Sequence, residues 1–184
     1  NNRGGNESFS DYLVAYFADK PFSWNSSFSL KSSKILKEVT RQHSDTSTQY
    51  FQSILNHPDG EVYEYAFDPY APQTAEKQFR GKVYVLVNRQ SHSQSAVMAA
   101  QIQDYGWGTI VGEETGDSPS LMASQFEFPL PHSGIIAKVS KGYIVRVNGD
   151  TSQRGVIPDI QIQDHLLDEK DEILESLLER LGGN

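Results

Sequence analysis

The stretch Lys82-Val83-Tyr84-Val85-Leu86-Val87-Asn88, followed by Arg89-Gln90-Ser91-His92-Ser93-Gln94-Ser95-Ala96, decides how this chain folds. Its first seven residues form an apolar run that predicts a buried strand. A serine-rich turn follows, and the apolar spacing beyond it predicts a helix over residues 93–105. A strand, a tight polar turn and a helix in this order are typical of an α/β sheet.

Ser93 lies in this turn, where a serine has two interpretations. A serine before a helix caps it through its hydroxyl oxygen, and Ser91 could do the same. A serine there can also be a nucleophile, because the strand fixes it and the helix N-terminus supplies positive potential. Free main-chain N–H groups at that end can face a developing oxyanion. The turn alone favours the capping interpretation, so other motifs must decide.

Composition excludes several classes of protein. The 184 residues are 37% hydrophobic, enough for one domain with a core. The net charge is −8 without a basic stripe, which argues against nucleic-acid binding. The absence of cysteine excludes disulfides and a thiol nucleophile. No apolar run is long enough for a membrane span, no signal peptide is present, and no histidine and carboxylate spacing suggests a metal site.

The rest of the chain alternates strand and helix patterns, which predicts an α/β fold in one domain over residues 1–184. The opening residues resemble the middle of a loop, so we expect the natural N-terminus to lie upstream. The predicted elements are a helix over 8–20, a strand over 22–30, one or two helices over 33–55, strands over 61–67, 82–88 and 109–112, three strands over 126–130, 135–139 and 144–147, and a helix over 168–181.

Six motifs along the chain occur in the order typical of one family. They are Asn2-Arg3-Gly4-Gly5, residues 79–88, Ser91-His92-Ser93-Gln94-Ser95, Val111-Gly112-Glu113-Glu114-Thr115, Leu130-Pro131-His132-Ser133-Gly134 and Gly155-Val156-Ile157-Pro158-Asp159. On these motifs the chain resembles the C-terminal-processing (tail-specific) serine proteases. Tricorn protease and the interphotoreceptor retinoid-binding protein modules belong to the same family. The resemblance implies a crotonase-like (ClpP/crotonase superfold) α/β protease domain, of which this chain is the C-terminal portion.

The resemblance also implies roles for particular residues. Ser93 would be the nucleophile of a serine endopeptidase that acts on protein or peptide substrates. The N–H of Gln94 and that of Gly4 or Gly5 would form the oxyanion hole. The resemblance implies no cofactor and no metal. It also implies an extracytoplasmic location, which would be periplasmic, envelope-associated or secreted. The oligomeric state is not indicated.

The chain departs from the family at the general base. Processing proteases place a lysine 25 positions after the serine, where this chain has Ser118. Tricorn-like members, which this chain resembles more closely, use a histidine that precedes this part of the fold. An acidic residue orients that histidine, and Asp150 is the nearest candidate here. His92 is a possible accessory group, although consecutive side chains diverge. Asp117 would be a poor base, because an exposed carboxylate is too weakly basic for a serine hydroxyl.

Two further interpretations stay open. The catalytic machinery could be degenerate, so that the domain binds peptides without cleaving them. A hydratase-like enzyme on the same superfold would need a thioester pocket, for which the sequence gives no signal.

Overall fold

A computed structural model describes residues 2–165 and 167–182. In these two segments the elements are α1 (Glu7–Val14), β1 (Ser27–Lys31), α2 (Lys34–His43), α3 (Gln49–Asn56), β2 (Val62–Glu64), β3 (Tyr84–Val87), α4 (Gln94–Tyr105), β4 (Thr109–Gly112), β5 (Met122–Pro129), β6 (Ile136–Val145), β7 (Ile160–Gln161) and α5 (Glu172–Gly182). Within the same segments, no helix is both long and apolar enough to cross a membrane.

The strands form two sheets, one parallel and one antiparallel. The parallel sheet has the order β3-β4-β7, with Val87 of β3 opposite Gly112 of β4. The antiparallel sheet has the order β2-β1-β6-β5. The mixed α/β class predicted from the sequence is therefore confirmed. Strands β3 and β5 each form one edge of their sheet.

The parallel sheet and the helices beside it share one apolar core. Helix α4 contributes the fully buried residues Ala99, Ala100 and Ile102, which pack with Val14 of α1 and Ile110 of β4. Small alanines let α4 approach its neighbours closely. Helix α4 is thereby fixed against the sheet, and the turn from β3 to α4 lies between two rigid elements.

The antiparallel sheet has a separate, aromatic core. Phe28 and Leu30 of β1 and Ile144 of β6 pack against Leu36 of α2 and Ile54 of α3. Aromatic rings surround this centre, with neighbouring ring centroids 5.0–5.8 Å apart for several pairs. Ring-to-ring contacts of this kind stabilise the side of the fold that faces the turn after β3.

Helix boundaries follow the capping residues. The Asn6 side chain accepts a hydrogen bond from the Ser8 N–H and begins α1. Thr48 caps α3 in the same way, and the one or two helices predicted over residues 33–55 are two, separated at residues 44–48. Helix α1 is shorter than the predicted helix over 8–20, because the chain after Val14 turns through i+3 bonds.

Strand β6 corrects the prediction of two separate strands over 135–139 and 144–147. The pattern breaks at Gly142, and a glycine inside a strand is a common sign of interruption. In the fold Gly142 pairs with Ala123 and continues the strand. A Cβ atom at Gly142 would overlap the ring of Phe28, so the glycine makes room for an aromatic side chain.

Candidate active site

Ser93 occupies a strained turn between β3 and α4. Its φ of 54° and ψ of −128° lie outside the regions that most residues adopt. Such a conformation costs about 1–3 kcal/mol and occurs most often at functional sites. The Ser93 side chain makes no capping hydrogen bond to α4, which argues against the capping interpretation. Ser91 is buried instead, and its hydroxyl accepts the Asn88 N–H.

Three consecutive main-chain N–H groups in this turn have different partners. The His92 N–H donates to the Asn2 carbonyl at 3.0 Å, and the Ser93 N–H donates to Asp117 Oδ2 at 2.6 Å. The Gln94 N–H has no acceptor among residues 2–165 and 167–182. It is therefore the one of the three that can bind a ligand at the N-terminus of α4.

The segment that leads into α1 lies directly against this turn. Gly4 has a φ of +89°, and a Cβ atom there would lie 2.7 Å from the Ser93 Cβ and 2.8 Å from the Gln94 nitrogen. Only glycine fits this approach. The Gly4 N–H donates to Asn2 Oδ1 at 2.9 Å, whereas the Gly5 N–H has no acceptor in the described part of the chain. Of the two glycines, Gly5 keeps its donor available.

A cleft of about 610 Å³ opens beside Ser93, between the N-terminal end of α4 and the antiparallel sheet. Gly5, Ser93 and Gln94 line one side, and residues 121–125 at the start of β5 line another. Five aromatic side chains complete its walls: Trp24, Phe28, Tyr50, Phe51 and Phe67. The chemistry of this lining favours an apolar side chain of a ligand.

Tyr50 is held in the wall of the cleft by a polar contact. Burial raises its pKa to about 12, against the opposing effect of a 3.0 Å hydrogen bond with the Ser124 hydroxyl. Ser124 has a φ of 58°, which turns this residue of β5 out of the regular strand conformation. Tyr50 therefore stays neutral at physiological pH and contributes a ring and a hydroxyl rather than a charge.

His92 and Asp117 form a pair on the other side of Ser93. His92 Nδ1 lies 3.3 Å from Asp117 Oδ1, and both side chains are 41% exposed. The His92 side chain thus points to the loop after β4, in agreement with the expectation that it diverges from that of Ser93. From the sequence, Asp117 was interpreted only as a poor base, and its contact with the Ser93 N–H was not predicted.

Ser118 and Asp150 lie together on a neighbouring loop. The Ser118 hydroxyl donates to the Ser152 carbonyl at 3.0 Å. The Asp150 carboxylate accepts the Ser152 N–H and hydroxyl, and these two bonds lower the pKa of Asp150. Neither side chain is hydrogen-bonded to Ser93. In the two described segments, no side chain is hydrogen-bonded to the Ser93 hydroxyl, and no cluster of histidine and carboxylate groups could hold a metal ion.

Sequence reasoning identified the turn and its glycines but missed the cleft. Its aromatic residues come from positions 24 to 67, and β5 begins a further 55 positions along the chain. No local periodicity brings these segments together. A weak signal for the cleft was the clustering of aromatic residues within 50–67, where the sequence patterns predicted only a helix and a strand.

Known proteins share sequence and fold with this chain. The model of a family described as Peptidase family S41 matches residues 1–162. The tail-specific protease of Haemophilus influenzae is 35% identical over 104 residues, which are 53% of this chain and 14% of that protein.

Solved structures share the fold at low sequence identity. The crystal structure of a putative peptidase from Parabacteroides merdae has a TM-score of 0.61 at 17% identity. The match covers 98% of this chain and 49% of that protein chain. Mature CPAF complexed with lactacystin has a TM-score of 0.65 at 16% identity, with coverage of 98% and 41%. The photosystem II D1 C-terminal processing protease has a TM-score of 0.54 at 22% identity, with coverage of 98% and 36%. The chain thus spans half or less of each of these proteins.

Proposed function

Because this chain belongs to peptidase family S41, we propose that it carries the nucleophile and oxyanion hole of a serine endopeptidase that cleaves proteins or peptides. The observation that carries the proposal is the position of Ser93. It lies in a strained turn at the start of α4, beside two main-chain N–H groups without acceptors in the described segments. Strand, nucleophile turn and helix in this arrangement support acyl transfer.

In the proposed mechanism, the Ser93 hydroxyl oxygen attacks the carbonyl carbon of the scissile bond. The Gln94 and Gly5 N–H groups stabilise the negative charge that develops on the carbonyl oxygen. The N-terminus of α4 adds positive potential at the same place. The general base takes the proton of the Ser93 hydroxyl and donates it to the leaving amine. Water, deprotonated by the same base, then hydrolyses the acyl group, and Ser93 regains its proton. Gly4 contributes by its lack of a side chain, which lets the segment before α1 lie against the turn.

The general base is assigned to a residue outside this chain. No side chain of the described residues is hydrogen-bonded to the Ser93 hydroxyl, and Ser118 stands where processing proteases place their lysine. A histidine from a preceding part of the protein, oriented by Asp150, would complete a tricorn-like arrangement. Asp150 would then exchange its bonds to Ser152 for a bond to that histidine.

Fold, extent and location belong to the same proposal. The parallel sheet β3-β4-β7, packed between α4 and α5, supports a crotonase-like fold. The chain would be the C-terminal portion of a tail-specific-protease-like catalytic domain, which its coverage of the longer relatives supports. An extracytoplasmic location follows from the family resemblance alone.

A second candidate function is a peptide-binding domain that has lost catalysis. The observation that favours it is the Ser93 hydroxyl, which lacks a histidine or lysine partner in the described segments. The aromatic cleft would then bind an apolar side chain of a peptide without cleavage of the peptide bond.

Covalent labelling of the full-length protein separates the two functions. A fluorophosphonate probe is expected to label the wild-type protein, and Ser93→Ala is expected to abolish labelling. Ser133→Ala is the matched control, because Ser133 lies at the exposed tip between β5 and β6 and should leave labelling unchanged. Equal labelling of Ser93→Ala would exclude the assignment of the nucleophile. Peptide binding without Ser93-dependent labelling or cleavage would support the binding domain.

The 184-residue chain alone is expected to show little or no hydrolysis, because it is proposed to lack the base. Robust cleavage by this chain that depends on Ser93 would contradict this expectation. The base would then have to be sought among its own residues, with His92 as the first variant to test.

A further inference from the structure

We propose that Asp117 is a positioning residue for the nucleophile. Its carboxylate holds the main chain of Ser93 in the strained conformation, and His92 holds the carboxylate in place. This inference rests on the proposed function of Ser93. It adds a residue from the loop after β4, where the processing proteases that this chain resembles place their catalytic lysine one position further on.

Both oxygens of the Asp117 carboxylate have partners in the turn. Oδ2 accepts the Ser93 N–H at 2.6 Å, and Oδ1 lies 3.3 Å from His92 Nδ1. Hydrogen bonds that end on a charged group are shorter and stronger than those between neutral groups. The carboxylate cannot rotate away from Ser93 without breaking the hydrogen bond to its N–H and separating from the His92 ring.

The loop that carries Asp117 is itself docked on the turn. The Gly116 N–H donates to the Ser91 carbonyl at 2.9 Å, and the Thr115 hydroxyl donates to the Asp117 carbonyl at 2.8 Å. A Cβ atom at Gly116 would overlap the Arg89 carbonyl and the ring of His92. The glycine therefore allows the loop to approach closely enough for Asp117 to reach the Ser93 N–H.

The other acidic side chains of this loop are engaged elsewhere. Glu113 pairs with Arg89, and Glu114 pairs with Arg154 at 2.7 Å. Of the three carboxylates, that of Asp117 accepts the Ser93 N–H. Since its carboxylate accepts a main-chain N–H and lies beside an imidazole, its geometry is that of a support and not that of a base for the Ser93 hydroxyl.

The carboxylate matters because a serine does not stay at a φ of 54° without support. If Asp117 is removed, the Ser93 main chain is expected to relax toward a common conformation. That rotation would move the Ser93 hydroxyl and the adjacent Gln94 N–H relative to each other. Asp117 also decides which N–H group of the turn is available. Because the Ser93 N–H donates to Asp117, the Gln94 N–H is the donor left for the oxyanion hole.

The test uses the full-length protein with ¹⁵N-labelled serine and three variants. Asp117→Ala removes the acceptor, and Asp117→Asn keeps an oxygen that can accept the Ser93 N–H. Asp68→Ala is the matched control, because Asp68 is exposed and has no hydrogen-bond partner in the described segments. Two quantities are measured in each protein: the ¹H shift of the Ser93 amide and the rate of fluorophosphonate labelling.

The wild-type protein and Asp68→Ala are expected to show a downfield ¹H shift of the Ser93 amide. Asp117→Asn should keep part of this shift, and Asp117→Ala should lose it. Labelling is expected to fall about tenfold or more in Asp117→Ala and to recover in Asp117→Asn. An unchanged amide shift in Asp117→Ala would overturn the inference, as would a lost shift with an unchanged labelling rate. If the wild-type protein is not labelled at all, the proposed function fails, while the amide shift still decides whether Asp117 holds Ser93.

Discussion

Gly4 lies so close to Ser93 that a Cβ atom added to Gly4 would be 2.7 Å from the Ser93 Cβ. This contact joins the segment before α1 to the turn before α4, two parts of the chain that are 89 positions apart. Gly5 and Gln94 both line the cleft beside Ser93. The oxyanion hole proposed for this protein depends on that contact.

Gly4→Ala is therefore expected to damage the site much more than Gly5→Ala. An alanine at Gly4 would collide with Ser93 and Gln94 at a φ that disfavours side chains, whereas a Cβ at Gly5 meets open space. The labelling rate of Gly4→Ala should fall by about 100-fold or more, the loss typical of an oxyanion-hole donor. Gly5→Ala keeps its N–H and should stay close to wild type. Similar rates for the two variants would contradict this geometry.

The stability of the fold should depend on pH through Asp11. Burial raises the pKa of this carboxyl to about 6, against the opposing hydrogen bond from Gln101. The folded state therefore binds the Asp11 proton more tightly than the unfolded state does. The contribution of Asp11 to the free energy of unfolding is greatest below about pH 4, where the carboxyl is protonated in both states. Stability declines as pH rises through 6, by up to about 3 kcal/mol.

Urea denaturation of the wild-type protein and of Asp11→Asn between pH 4 and 8 measures this effect. The asparagine cannot ionise and keeps an oxygen for Gln101. The free energy of unfolding of the wild-type protein should decline relative to that of Asp11→Asn up to about pH 7 and then stay level. Parallel profiles over the whole range would show that Asp11 does not have a raised pKa.

Gly142→Ala tests the aromatic core beside the cleft. The added methyl group would overlap the Phe28 ring, and overpacking of this kind costs about 1–3 kcal/mol. Phe28→Leu gives the methyl group room, so the double variant should lose less stability than the sum of the two single variants. Thermal and urea unfolding measure both. Full additivity would mean that the two residues do not compete for space.

Removal of one partner of the ion pair between Arg146 and Asp104 should strongly destabilise the fold. Arg146 Nη2 lies 2.6 Å from Asp104 Oδ1, and the side chains are only 10% and 4% exposed. Arg146→Met leaves a buried carboxylate without its charge partner, at an expected cost of about 3–5 kcal/mol. Adding Asp104→Leu should restore part of that loss in a double-mutant cycle of unfolding free energies. A cost below that range would mean that the pair is not desolvated.

Local sequence patterns were sufficient to predict the elements on which the site is built. The apolar run before Asn88 and the spacing after Ser93 predicted β3 and α4 to within a few residues. Strand β4 was predicted with its observed bounds. These elements are short-range features, because burial periodicity and turn residues act over one or two turns of chain.

Features that depend on distant contacts were not predicted. The contact of Asp117 with the Ser93 N–H joins positions 24 apart, and nothing in either local pattern indicates it. Residues 140–143 were not predicted as part of a strand, and the packing of Phe28 against Gly142 within β6 is invisible in the sequence. In α5, only some of the apolar side chains face the core. Ile173 and Leu177 are buried, while Leu174, Leu178 and Leu181 are exposed in the described chain.

A crystal structure of the full-length protein after reaction with a fluorophosphonate tests the central claim most directly. The claim predicts a covalent phosphonyl group on Ser93 Oγ, with one phosphonyl oxygen about 2.7–3.1 Å from both the Gln94 and Gly5 nitrogens. An adduct on another serine would contradict the assignment of Ser93 as the nucleophile. An adduct on Ser93 whose oxygens are bound by other donors would contradict the oxyanion hole proposed here.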